Sequence, residues 1–333
     1  MFRFFALLGV LLTTTATAAS ATVTIYSYRQ PFLIEPILAQ FTEQTGINTE
    51  VVFAKSGLDE RLRREGALTP ADLVLTTDIS RLAGLVEMGL TQPVNSKILA
   101  ANVPAHYRDP ADHWFALTLR VRNVYSSKAR VGKANLSYED LAKPEYQGKL
   151  CTRSGKNAYN IALVASMIAH HGEEQTEQWL HGLKANLARK PQGNDRAQIK
   201  AVAEGICDYA IGNSYYFGKM LSDPNQQPFA EQVEINFPNQ QDRGAHINVS
   251  GAVMTKYAKQ PQAAQALLEF LSAPLAQQQY AEVNMEYPVN PAVAPSSLVR
   301  SWGEYQADSL PIHRLAQHHK AAITLLDKVQ FDL

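Results

Sequence analysis

Short apolar runs alternate with amphipathic stretches along almost the whole chain. Val23-Thr24-Ile25-Tyr26-Ser27 has the look of a strand, and Phe32 to Thr45 repeats Ile34, Ile37, Leu38 and Phe41 at helical spacing. Thr49 to Ala54 predicts the next strand, Leu58 to Arg64 a helix, Asp72 to Thr76 a buried strand, and Ile79, Leu82, Leu85 and Val86 a helix ending at Gly89. Strands that alternate with helices in this way predict a parallel sheet covered by helices. Trp114 to Ser126 breaks the rhythm. It is one extended run, more than twice the ~5–6 residues of an average strand, and long enough to pass from one lobe to another.

A second series follows: a helix near Tyr138–Leu141, a strand at Lys149–Thr152, helices over Asn157–His171, Glu174–Asn186 and Ala197–Ala203, and a strand at Ile206–Ile211. The extended run Gln232–Phe237 leads to Asn248–Met254, read as the return crossing. Helices at Gln262–Leu271, Leu275–Val283 and Leu315–Val329 complete the pattern. The expectation is a two-lobe α/β protein with at least two crossovers. One lobe then comprises residues 22–118 with 243–291, and the other residues 119–242 with 292–333.

Two stretches of the second series are candidates for chemistry. The strand before Gly212-Asn213-Ser214 runs into Tyr215-Tyr216, and Cys151 runs through Thr152-Arg153-Ser154-Gly155-Lys156-Asn157 to Tyr159. Adjacent side chains on a regular helix diverge by about 100°, so two phenols reach one target only at a turn. In open α/β sheets, ligands sit at such strand ends. Tyr159 and Tyr215 each stand eight positions after a cysteine, Cys151 and Cys207.

Composition narrows the picture. In 333 residues, 46% of them hydrophobic, 31 Lys and Arg balance 31 Asp and Glu, which leaves no broad basic field for nucleic acid. Residues 1–21 carry one early charge, Arg3, an apolar run from Phe4 to Leu12, and small residues suited to cleavage after Ala18 or Ala21: a secretory signal peptide. The run is too short to span a bilayer. In an exported protein the only two cysteines, Cys151 and Cys207, are most simply a disulfide. The adjacent histidines His170-His171 and His318-His319 point different ways in helices and form no metal-ligand spacing.

The segments TIYSYRQPFLIEP, PADLVLTTDISRL, ALTLRVRNVY, YQGKLCTRSGKNAYN, LKANLARKPQGNDRAQIKAV and GICDYAIGNSYYFGKM resemble the periplasmic ferric-ion-binding proteins of bacterial ABC iron importers, over essentially the whole chain after residue 21. The resemblance implies the two-lobe, type II periplasmic-binding-protein (transferrin-like) fold. It also implies Fe(III) as cargo, Tyr159, Tyr215 and Tyr216 as phenolate ligands, and delivery by a monomer in the periplasm to an inner-membrane permease and its ATPase, with no catalysis. A small synergistic anion such as carbonate is implied too, resting on Arg29 and Arg120 and on N–H groups at Ser154, Gly155 and Asn157. Some branches of the family carry a His ligand where this chain has Gln30, so Tyr26 and Tyr28 stay open as first-lobe contributors.

The chemistry suits the residue types. Ferric iron is a hard cation that prefers anionic oxygen, and its charge displaces the proton of a phenol whose free pKa is about 10. Three phenolates would balance the 3+ charge. Two other readings remain at this point. A binding protein for an oxyanion or small organic cation would use the arginines or aromatics without three convergent phenols; a secreted tyrosinate-iron oxygenase would add His ligands and an open substrate position.

Overall fold

The computed structural model describes residues 21–333, so the signal segment expected at 1–21 lies, but for Ala21, outside the described residues. Ten strands are present among them: β1 Thr22–Ser27, β2 Asn48–Phe53, β3 Leu73–Thr76, β4 Thr91–Gln92, β5 Trp114–Ser127, β6 Leu150–Cys151, β7 Tyr209–Asn213, β8 Val233–Asn236, β9 Ile247–Thr255 and β10 Tyr287–Pro288. Hydrogen bonding orders them β2-β1-β3-β9-β5-β7-β6, with β4 beside β9 and with β8 and β10 beside β5. The parallel expectation holds at the two ends only. β1 runs parallel to β2 and β3, and β6 to β7, whereas every pairing of β5 and β9 is antiparallel. Helical connections force parallel neighbours, and strands that cross between lobes escape that rule.

β5 is the joint of the molecule. Its first part, to Val121, pairs with β9, and from Arg122 onward it pairs with β7 and β8. Flanked on both edges and covered on both faces, all fourteen of its residues are buried, Arg120 and Arg122 among them. One apolar core gathers helix Pro31–Thr45 and helix Pro261–Ser272 against the β1–β3 side. Another packs the helical run Ala158–Ala185 and helix His319–Lys328 beyond β5. The result is two α/β lobes.

Local signals explain most boundaries. Helix Pro31–Thr45 opens on proline, whose missing N–H costs nothing in the first turn, buries Ile34, Ile37, Leu38 and Phe41, and stops at left-handed Gly46 (φ 70°). The run Ala158–Ala185 is broken at Gly172, matching the two helices expected there. Two expectations fail. The helix near Tyr138 is a single 3-10 turn at Asp140–Ala142, and Leu315–Val329 is divided into helices His313–Gln317 and His319–Lys328. His318, at the division, carries no proline or glycine signal.

Candidate metal centre

The two tyrosine stretches meet because β6 and β7 are parallel neighbours, with Cys151 beside Ala210. The Cys151–Cys207 disulfide ties β6 to the residues just before β7, at a Cα separation of 5.9 Å. It closes a sequence separation of 56 residues, a loop for which a stabilisation of roughly 2–4 kcal/mol is expected. Replacing both cysteines by Ala should therefore lower the thermal midpoint and loosen the tyrosine cluster while secondary structure persists. Two free thiols in non-reduced, denatured periplasmic material would refute the staple.

β7 runs on through Gly212 to Asn213, further than the sequence pattern indicates, and helix Ser214–Leu221 begins at once. Gly212 is required by close approach: a Cβ there would stand 2.5 Å from Cε2 of Tyr125, whose hydroxyl donates to the Asn213 carbonyl at 2.7 Å. The abrupt strand-to-helix change puts Tyr215 and Tyr216 in the first turn, their ring centroids 4.1 Å apart. Across from them Asn157 Oδ1 accepts from the Tyr159 N–H (3.0 Å) and starts the helix that bears it. The Asn160 amide ties down the preceding loop through the Arg153 and Ser154 carbonyls. The Tyr159 and Tyr215 hydroxyls stand 3.3 Å apart. All three tyrosines line one cleft of about 400 Å³.

Guanidinium groups surround these rings. Arg153 and Arg122 lie 5.3 and 5.9 Å from the Tyr159 ring, Arg120 5.6 Å from Tyr215, and Arg196 5.8 Å from Tyr216. Buried Asp195 organises the cage: its carboxylate accepts from Arg122 (2.9 Å), Arg153 (3.2 Å) and the Asn213 N–H (3.0 Å), so one carboxylate ties β5 to both tyrosine stretches. Burial pushes the Tyr215 phenol well above its ordinary pKa, and repulsion from Tyr159 and Tyr216 adds to this; Tyr216 is raised by burial, then by Tyr159 and Asp195. Without a cation beside them the Tyr215 and Tyr216 phenols are thus neutral at pH 7, and a cation there would favour loss of their protons.

Arg29 and Arg120 line the same cleft, 4% and 2% exposed, which rules out surface pairing for both. They share partners: Arg29 donates to Ser250 Oγ (2.9 Å), as does Arg120, and Arg29 is forked onto the Glu286 carboxylate, whose Oε1 is 3.8 Å from Arg120. Of the N–H donors expected at Ser154, Gly155 and Asn157, that of Gly155 goes to Asp332 and that of Asn157 to the Ser154 carbonyl (3.1 Å). Ser154 Oγ and the Gly155 N–H both donate to the Asp332 carboxylate (2.6 and 2.7 Å), Asn157 caps its own helix, and none of the three lines the cleft. The C-terminal Asp332 is too distant in sequence for that competition to be foreseen. Tyr28 and Gln30 line the cleft, Tyr28 bonded to Asp59 (2.8 Å) and raised by burial to about 12, while the Tyr26 hydroxyl is turned onto Glu65 (2.8 Å). His170 and His171 face different carboxylates, Asp308 and Glu139.

Sequence reading missed Arg122, Asp195, Ser250 and Glu286. A signal existed for the first: Arg120 and Arg122 stand two apart, on one face of a long run rich in apolar residues, where charge is costly unless paired. Among the described residues, no group of three or more His, Cys, Asp or Glu is placed to hold a metal.

A family description, bacterial extracellular solute-binding protein, matches residues 69–301. The chain is 42% identical over 297 residues to iron uptake protein A1 of Synechocystis sp., covering 88% of this chain and 82% of that one. The crystal structure of apo ferric ion-binding protein A from Pasteurella haemolytica is 52% identical and superposes with a TM-score of 0.91, covering 94% of this chain and 99% of that one. The Trichodesmium protein IdiA (FutA), solved with iron and citrate ligands, gives 37% identity and a TM-score of 0.89 over 93% and 100%. With the same cleft-bearing fold repeated along nearly its whole length, the chain belongs to the bacterial extracellular solute-binding proteins, in their ferric-ion-binding group, and has the type II periplasmic-binding-protein architecture.

Proposed function

We propose that this protein captures Fe(III) in the periplasm through the phenolates of Tyr159, Tyr215 and Tyr216 and delivers it to an inner-membrane ABC permease and its ATPase. The observation that carries the reading is the convergence of the three phenols, two of their hydroxyls 3.3 Å apart, inside a guanidinium-lined cleft. Three phenolates neutralise the ion; the guanidiniums then favour a small anion, such as carbonate or bicarbonate, in the remaining coordination positions. Arg29 and Arg120 hold that anion. The protein works as a monomeric carrier rather than a catalyst, and among the described residues no helix is long and apolar enough to cross a membrane. Its lobes divide as residues 22–118 with 243–291 and 119–242 with 292–333, a division supported by the change of β5 partners at Val121 and Arg122.

The test is a visible absorption spectrum recorded as a ferric salt is added. Phenolate-to-iron charge transfer should colour the protein at one iron per chain, and an uncoloured complex would overturn the ligand set. Arg29→Ala and Arg120→Ala should each weaken iron binding by roughly 10–100-fold, the usual cost of losing a partner outside the ligands themselves, with added carbonate restoring part of it. Unchanged affinity and anion dependence in both variants would remove the arginines from the site.

A further inference from the structure

Glu286 is the one carboxylate among the described residues lining the cleft, which it shares with Arg29, Arg120, Arg196 and Lys219. Its position is built. Helix Pro274–Asn284 ends at Met285, a non-glycine residue in the left-handed region (φ 57°, ψ 29°), a conformation that persists only when the surroundings over-determine it. Those surroundings come from both lobes. Asn284 donates to the Leu33 carbonyl (3.2 Å), and Met285 lies against Gly218 of the tyrosine-bearing helix, where a Cβ would come within 2.8 Å of it. The turn thereby presents Glu286, 3% exposed, to the arginine pair.

Glu286 does not saturate that pair. The buried Nε groups of Arg29 and Arg120 have no hydrogen-bond partner among the described residues, so donors remain for a further acceptor. Nor does it cancel the local field: the Lys219 ammonium is held below its usual range by burial and then by Arg196. Two guanidiniums and one carboxylate sum to a single positive charge beside a metal already neutralised by three phenolates.

We propose that Glu286 selects the anion that completes the ferric site. By cancelling one guanidinium charge and occupying the Arg29 fork, it leaves a place for a small anion of low charge and disfavours phosphate and polycarboxylates, which bind best to an open bidentate fork. The proposal rests on the anion reading of Arg29 and Arg120 given above. Without the carboxylate the pair carries two charges and a free fork, so preference should shift toward the more highly charged anion.

Anion-depleted protein would be loaded with ferric ion in the presence of bicarbonate, phosphate or citrate, and iron retention measured against a competing chelator. The wild type should prefer bicarbonate. Glu286→Gln should raise the phosphate-to-bicarbonate and citrate-to-bicarbonate retention ratios by about tenfold or more, as expected for one charge removed at a few ångströms in a partly buried site. Glu286→Asp keeps the charge but withdraws it by one methylene, so it should move the ratios less and in the same direction; it serves as the test if the Gln variant does not fold. Equal loss with every anion would make Glu286 a metal ligand or a structural residue and overturn the proposal, as would unchanged ratios in the variants. Anion-independent binding by the wild type would instead refute the underlying anion reading, before any variant is compared.

Discussion

Changing Tyr159, Tyr215 or Tyr216 to Phe is expected to weaken Fe(III) binding by more than the roughly 10–100-fold that loss of an outer partner costs, because each change removes an anionic ligand outright. It also leaves the ion one charge short of neutrality in a cleft already rich in guanidinium. The substitution deletes a single oxygen and keeps the ring that packs against its neighbours. For Tyr215 the apo protein loses the 3.3 Å contact with Tyr159, worth about 1 kcal/mol at most, and also some repulsion. Apo melting temperatures should stay close to wild type while the visible band disappears or shifts. A Phe variant with wild-type colour and affinity would show its tyrosine to be a packing residue.

Acid should release the ion steeply. Burial, with repulsion from Tyr159, keeps the Tyr215 and Tyr216 phenols neutral without metal, so iron uptake expels one proton for each phenol that becomes a ligand, three if Tyr159, Tyr215 and Tyr216 all do. Each displaced proton contributes about one unit to the change of log K per pH unit, so affinity should fall by up to about a thousandfold for each unit of acidification. The sign for folding is opposite. A phenol whose folded pKa lies above the unfolded value of about 10 contributes stability that is fully present below pH 10 and lost as the pH rises through the folded value. Iron is therefore released on acidification without loss of the stability these tyrosines supply. Chelator competition at several pH values gives the slope, which each Phe variant should lower by about one unit. A wild-type slope near zero would show that no phenol gives up a proton to the metal.

Much of this protein was legible along the chain because its elements are locally determined. The 3.6-residue repeat of Ile34, Ile37, Leu38 and Phe41 and the glycines at 46 and 172 set helices that tertiary contacts then use unaltered. The length of the run Trp114 to Ser126 marked it as the crossing strand, observed as Trp114–Ser127, and the matched spacing of Cys151 to Tyr159 and Cys207 to Tyr215 marked two equivalent strand-to-helix turns. What the chain could not show depends on residues far apart in sequence. Asp332 takes the Ser154 hydroxyl and the Gly155 N–H across 178 and 177 positions. Glu286 reaches Arg29 across 257 positions and only from the left-handed turn at Met285, which no propensity would place there. Local periodicity decides which backbone hydrogen bonds a segment can satisfy by itself, and so fixes the elements and the tyrosine turns. The partners of buried charges are chosen by which unpaired group the assembled lobes bring within reach, because leaving a charge buried alone costs more than almost any local preference can supply.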